Sequence, residues 1–334
     1  MSRRRLGWAA AGAGLALGSC RAAPSTLDPR SPEARRLASA WWQMFALGAA
    51  VYAVVAGLIV WTLVRRRAGH RDGGADRERL FVVAGGVAAP VAVLAVVAFI
   101  TVDTTADVGA ASPGPALAVE VVGHTWWWEV RYPPGTGAGE PAVVTANELR
   151  VPVGRPVQLT LSSADVLHSF WVPELAGKVD LIPGATTTLR FSAERPGTYQ
   201  GACAEFCGIQ HANMRFLVVA EEPGGFDRWR ARQGGPAAAP TSELEARGQA
   251  AFMGAPCAGC HTVRGTPATA TLGPDLSDFG TRRTLGAGLL PNTAANLARW
   301  IVDAPELKPG VLMPPIALSP AEVDAIVAYL EALG

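Results

Sequence analysis

Cys257-Ala258-Gly259-Cys260-His261 sets two thiols one helical turn apart, with an imidazole directly after the second. Thiols at that spacing can add to the two vinyl groups of a porphyrin while the imidazole reaches its iron, which makes this a c-type haem attachment pattern. The competing chemistry, half of a zinc site, needs more Cys or His ligands downstream. None follows, because Cys260 is the last cysteine and His261 the last histidine. A sixth iron ligand must then be a methionine beyond the motif, and Met313 is the one there. A thioether stabilises reduced iron and raises its potential, and two protein ligands leave no open position for oxygen. This segment is expected to carry electrons.

A second cluster is Cys203-Ala204-Glu205-Phe206-Cys207-Gly208-Ile209-Gln210-His211-Ala212-Asn213-Met214. It offers two thiolates, an imidazole and a thioether, soft or borderline donors suited to copper. A mononuclear blue-copper site takes one cysteine and two histidines, so the second thiolate is left over unless two metals share both sulfurs. His168, in Asp165-Val166-Leu167-His168-Ser169-Phe170-Trp171, can supply another imidazole from an earlier segment.

Something must hold these groups in place. From 117 to 220 short β-branched or alternating runs (117–122, 143–145, 156–161, 186–191 and 215–219) are split by Gly and Pro, which predicts a β-sandwich or barrel. A short helix over Phe226–Arg232 and a flexible tether over 233–240 follow within 221–242, the tether raising the local concentration of one domain at the other. Residues 243–334 read as helical. Ser242 with Glu245, and Ser319-Pro320-Ala321-Glu322, are helix-opening boxes, and Val323, Ile326, Val327 and Leu330 share one face.

The chain has 334 residues, 49% hydrophobic and 17% charged, with mean hydropathy +0.22, which argues against a disordered or nucleic-acid-coating protein and for contact with lipid. A net charge of +1 speaks against a polyanion binder. Two stretches free of charged residues, 41–64 and 80–102, are each long enough for a hydrocarbon layer of roughly 30 Å, and both are expected to be transmembrane helices. The loop 65–79 holds six arginines against three acids and should face the cytoplasm, leaving everything after 102 outside, with 103–116 as linker. Asp76 and Glu78 could feed protons to a partner subunit, and His70 has no partner in view. Residues 1–19 read as a secretory signal with Arg3, Arg4 and Arg5 in front. Leu17-Gly18-Ser19-Cys20 resembles a bacterial lipobox, which implies lipidation of Cys20 and an exported segment over 20–40.

With these features together the chain resembles subunit II of the haem-copper cytochrome c oxidases. The likeness covers both membrane helices, Gly123-His124-Thr125-Trp126-Trp127-Trp128, the His168 segment, Gly177-Lys178-Val179-Asp180-Leu181-Ile182-Pro183-Gly184 and the 203–214 loop. The 243–334 segment resembles a class I cytochrome c through Gly248, Phe252 and Gly273-Pro274-Asp275-Leu276, which narrows the likeness to the caa3-type branch. The fold so implied is multidomain: a two-helix transmembrane hairpin, an all-β cupredoxin-like sandwich over 117–220 and an all-α class I cytochrome c.

The resemblance implies a binuclear copper centre, CuA. Cys203 and Cys207 would bridge both coppers, His168 and His211 would bind one each, and Met214 and the Glu205 carbonyl would complete them. The Glu205 carboxylate would also reach magnesium at the boundary with the catalytic subunit. Trp126 would be the electron-entry ring, Trp127 and Trp128 packing residues and His124 structural, while the Pro274 carbonyl would orient His261. The chain would then accept electrons through its covalent haem c and pass them to CuA and on to subunit I, which reduces dioxygen and pumps protons. Subunit III, a donor cytochrome c or upstream respiratory complex, and membrane lipid are the other expected partners, and nucleic acid is not one. The setting would be a bacterial cell membrane with both redox domains on the periplasmic side. The rivals are a copper chaperone lipoprotein with a fused cytochrome, and a quinol-oxidase subunit II, which keeps the fold but lacks the copper ligands.

Overall fold

Ser31 starts the first helix. Its Oγ accepts from Ala34 N at 2.8 Å and donates to Leu175 O at 2.5 Å, so one hydroxyl caps the helix and ties it to a distant loop. The computed structural model describes residues 24–67, 75–109, 114–135 and 141–334. The expected signal over 1–19, Cys20, His70 and the side chain of Asp76 lie outside the described residues.

Helix α1 (Pro32–Arg67) leaves its cap as a nearly continuous apolar rod. Its first turns are stitched to the β domain: Arg30 N donates to Glu174 O at 2.7 Å, Glu194 N to Arg30 O at 3.1 Å, and Arg35 Nη2 reaches Glu194 at 2.6 Å. Helix α2 is built of Ala75–Val83, a π-helical turn Ala84–Ala88 and Ala89–Gly109. The π turn falls just before Pro90, where the missing N–H breaks the regular ladder. Both helices are long and apolar enough to cross a bilayer, with their apolar stretches unburied, and both run past the expected spans at each end.

The next ten strands are β1 (Leu117–His124), β2 (Trp127–Tyr132), β3 (Val143–Ala146), β4 (Glu148–Pro152), β5 (Val157–Ser163), β6 (His168–Trp171), β7 (Val179–Leu181), β8 (Thr187–Phe191), β9 (Gly197–Cys203) and β10 (Arg215–Glu221). They form two five-stranded sheets, β3-β2-β1-β5-β8 and β4-β10-β9-β6-β7. Alternation in β1 and β5 turns every second residue inward, where they pack with Trp128 and Tyr132 of neighbouring β2 and with Phe170 and Phe216 of the facing sheet. Phe216 lies across β9 at Gly201, where any Cβ would sit 2.2 Å from the ring. This is the expected all-β sandwich.

On β2, Glu129 accepts from Arg131 Nε at 2.8 Å and lies 3.1 Å from Nε2 of His124, whose ring stacks on Trp127 at 4.2 Å. Burial would raise the Glu129 carboxyl, but the bonds from His124 and Arg131 outweigh it and carry the pKa down to about 2. Because the folded value lies below the unfolded 4.5, the stabilisation is complete above pH 4.5 and is lost as pH falls through about 2. Glu129→Gln is expected to cost on the order of 1–2 kcal/mol at pH 7, with the gap to wild type closing between those limits, as urea unfolding across the pH series will show.

Behind the sandwich come α3 (Pro223–Gln233), α4 (Glu243–Gly254), a short hairpin β11 (Thr284–Leu285) and β12 (Leu290–Pro291), α5 (Ala294–Val302), α6 (Ala304–Leu307) and α7 (Pro320–Glu331). Ser319 and Glu322 form a full capping box, whereas Ser242 caps Glu245 N and the Glu245 carboxylate turns to Thr241 instead. Val323, Ile326, Val327 and Leu330 are all buried. The tether expected to be flexible over 233–240 is instead pinned to the helical domain. Gln233 Oε1 accepts from Arg264 Nη2 at 2.6 Å, Ala237 N donates to Arg264 O at 2.9 Å, and Gly265 abuts Pro236. Arg264 is the physical reason, its guanidinium holding Gln233 and its backbone carbonyl holding Ala237.

Candidate metal and haem sites

β9 ends at Cys203, and β6, hydrogen-bonded beside it, begins at His168. Cys207, His211 and Met214 then follow on the loop that returns to β10, which includes a 3-10 turn over His211–Asn213. Cys203 Sγ lies 3.7 Å from Cys207 Sγ, 3.9 Å from His168 Nδ1 and 3.2 Å from the Glu205 carbonyl. Cys207 Sγ lies 3.6 Å from His211 Nδ1 and 3.7 Å from Met214 Sδ. The His168, Cys203 and Cys207 donor atoms fall within 4.8 Å of one another, and all three residues are buried. The Cys203 thiol is pulled down chiefly by its contact with Cys207, and the same contact pushes Cys207 up. Two sulfurs this close share one proton unless positive charge is placed between them. A pair of soft cations fits that demand, and six donors face the same small volume.

Asp165 is the residue that motif reading missed. Its Oδ1 lies 2.8 Å from His168 Nε2, and its Oδ2 accepts from Thr125 N and Oγ1 at 2.6 and 2.8 Å. Holding Nε2–H leaves Nδ1 with its lone pair toward the sulfurs. Burial would raise the Asp165 carboxyl, but these bonds keep it below the usual range. A carboxylate three residues before a candidate histidine ligand is the signal that could have found it.

Trp126 donates Nε1–H to Cys207 O at 2.9 Å, with its ring over Gly208. Trp128 is core, 1% exposed, and Trp127 stacks on His124, which is paired with Glu129 and stands apart from the sulfur cluster. Glu205 turns its carboxylate to Lys178 at 3.3 Å.

In the helical domain, Cys257 and Cys260 stand on and just after the 3-10 turn Pro256–Gly259, neither of them in a disulfide. His261 Nδ1 sits 2.8 Å from Pro274 O, which leaves Nε2 as the unprotonated nitrogen. Burial, the largest cause, lowers the pKa of His261 and keeps it neutral, as an iron ligand must be. The ring also packs on Gly273, where a Cβ would come within 2.6 Å. Leu272 and Leu312 stand 78% and 88% exposed, apolar side chains that a flat macrocycle would cover. Met313, beside Leu312, is partly buried. These residues fit a covalent haem.

A soft-donor metal centre on a two-sheet sandwich, a c-type cytochrome domain and an apolar helical hairpin together define a membrane-anchored electron carrier. Residues 117–221 match the cytochrome C oxidase subunit II periplasmic domain, and residues 245–334 match cytochrome c. The chain is 33% identical to cytochrome c oxidase subunit 2 of Alkalihalophilus pseudofirmus over 323 residues, covering 92% of this chain and 90% of that one. It is 32% identical to cytochrome c oxidase subunit 2 of Bacillus sp. over 263 residues, covering 73% and 72%. The periplasmic domain of subunit II of cytochrome oxidase from Bradyrhizobium japonicum aligns at 28% identity and TM-score 0.33, covering 36% of this chain and 95% of that one. The chain belongs to the cytochrome c oxidase subunit II family and carries a fused cytochrome c domain. Its two domains imply CuA copper and haem, and its sandwich lies on the extracytoplasmic side of a membrane.

Proposed function

We propose that the chain works as the electron-relay arm of the oxidase, with the sulfur cluster at the end of the sandwich as its copper site. The observation that carries this is the approach of two imidazoles, a thioether and a backbone carbonyl to within 3.9 Å of one or other of two neighbouring thiols. When bound, haem and copper would supply one-electron storage on the way to subunit I, where dioxygen is reduced. The chain's own part is to hold and orient them. Cys203 and Cys207 would hold both coppers, His168 and His211 would each supply an imidazole, and Met214 and the Glu205 carbonyl would complete the set. Burial of His168, Met214 and both thiols excludes water, so the cage changes little between charge states. Cys257 and Cys260 would attach the haem, and His261 and Met313 would hold its iron.

Trp126 is the entry ring into the copper cage, supported by its bond to the Cys207 carbonyl. The domain limits are 20–40 for the exported segment, 41–64 and 80–102 for the spans, 65–79 for the cytoplasmic loop, 103–116 for the linker, 117–220 for the sandwich, 221–242 for the connection and 243–334 for the cytochrome. Glu205 further offers a half-exposed carboxylate beside Lys178 and Asp180 for magnesium at the subunit I boundary. Subunit III and a donor cytochrome c or upstream respiratory complex complete the assembly. Lipidation of Cys20 after removal of 1–19 rests on Leu17-Gly18-Ser19-Cys20 alone.

Metal and haem analysis of the purified full-length chain tests the reading. One haem and two coppers, with an oxidised copper signal spread over both nuclei, are expected. A single exchangeable copper, or zinc, would overturn it.

A further inference from the structure

Lys308, the C-cap of α6, is 1% exposed, and among the described residues no carboxylate pairs with it. Its Nζ donates to Trp126 O at 2.9 Å, Asn213 O at 2.8 Å and Gly286 O at 2.8 Å. An ammonium has three N–H donors, and here each finds one backbone carbonyl. Trp126 belongs to the β1–β2 turn, Asn213 to the copper loop and Gly286 to the β11–β12 hairpin of the cytochrome domain, so three segments from two domains meet at one nitrogen. Burial works against the charge, and the three carbonyls that accept from Nζ are what compensate the ammonium.

The segment that Lys308 begins stays on the same seam. Pro309 O accepts from Gln210 Nε2 at 2.9 Å. Gly310, at φ +89°, comes so close that a Cβ would lie 2.8 Å from Ile209 and 3.2 Å from the Trp126 ring. Met313 follows three residues later. Around this point the domains are joined by Arg215 N to Ala287 O at 2.9 Å, Arg283 N to Glu148 Oε1 at 2.5 Å and Thr145 Oγ1 to Asp278 at 2.8 Å. Asp278 in turn is ion-paired to buried Arg282.

We propose that Lys308 is a positioning residue for transfer between the two domains, its ammonium locking the cytochrome domain onto the 203–214 loop so that the segment leading to Met313 stays packed against Trp126. The lock rests on the ligand and Trp126 roles proposed above. What it serves is a one-electron exchange in which no bond of the chain forms or breaks. The chain then behaves as one body rather than as a carrier swinging on a leash, and the Trp126 face is closed to a second, external cytochrome.

Hydrogen exchange on the full-length, haem- and copper-loaded chain in detergent reads the lock directly. In wild type the amides of Arg215 and Arg283 should be protected. In Lys308→Met their exchange should rise at least about tenfold, with the haem spectrum and copper resonance unchanged. Electron equilibration after rapid haem reduction should slow at least about tenfold in the same variant, which a merely structural lysine would not produce once both spectra are intact. Should K308M lose either spectrum, Lys308→Gln, which keeps donors on an uncharged head, serves the same comparison. Equal exchange in wild type and variant, or wild-type seam amides exchanging like exposed loops, would overturn the proposal. Failure of the underlying ligand reading would show separately, as missing haem or a single copper in wild type.

Discussion

Cys207→Ser is expected to abolish the copper pair while leaving the haem domain untouched. Cys207 Sγ stands at the hub of the cluster, 3.7 Å from Cys203 Sγ, 3.6 Å from His211 Nδ1 and 3.7 Å from Met214 Sδ. A serine hydroxyl is harder, stays protonated at neutral pH and cannot bridge two soft ions. With Cys203, His168 and the Glu205 carbonyl still in place, one copper can remain, held by one thiolate. Copper content should fall from two to at most one per chain, and the oxidised resonance should become that of a single nucleus. The fold should tolerate the change, because the side chains differ little in volume. Two tightly held coppers in the variant would show that the thiols do not bridge.

The second large effect lies at a helix crossing in the cytochrome domain. Gly248 sits in α4 where it crosses α7, and a Cβ there would lie 1.9 Å from Ala325 O and 2.8 Å from Tyr329 Cβ. The obstacle is backbone, which cannot swing aside as a side-chain tip would. Gly248→Ala therefore has to separate two helices whose facing residues, Phe252 and Tyr329, are 1% exposed and in edge contact at 5.9 Å. A loss of about 3 kcal/mol or more is expected, at the upper end of overpacking effects, whereas an alanine usually gains helix stability over glycine. Thermal unfolding followed at the haem should report it, with the sandwich transition followed separately by tryptophan fluorescence. A melting point at or above the wild-type value would contradict the close crossing.

Much of the site was legible because its donors are clustered in the chain. Cys257, Cys260 and His261 lie within five consecutive residues, five copper donors lie between 203 and 214, and only His168 comes from elsewhere. Gly248 and Phe252 were legible by resemblance, and the contact with α7 supplies their reason. The strands were read less well. β6 and β7 have four and three residues, too short for an alternation to register. β9 runs Gly-Thr-Tyr-Gln-Gly-Ala-Cys without a pattern because Gly201 makes room for Phe216 of the neighbouring strand. Lys308 gave no local signal at all, since its three acceptors sit at 126, 213 and 286 and meet only when both domains are folded. The tether over 233–240 misled for a related reason: its Gly, Ala and Pro composition is that of a free linker, and the Arg264 that fastens it lies in a different segment.

The stitching of Ser31, Arg30 and Arg35 to the β domain leaves no swivel between the first membrane helix and the structure above it. The hydrophobic thickness of the host bilayer therefore acts as a gauge for the whole ectodomain. A thinner lipid layer that makes α1 lean must turn the sulfur-rich loop with it by the same rotation. Lipid composition thereby becomes a setting for the height and aim at which this loop meets whatever stands beside it.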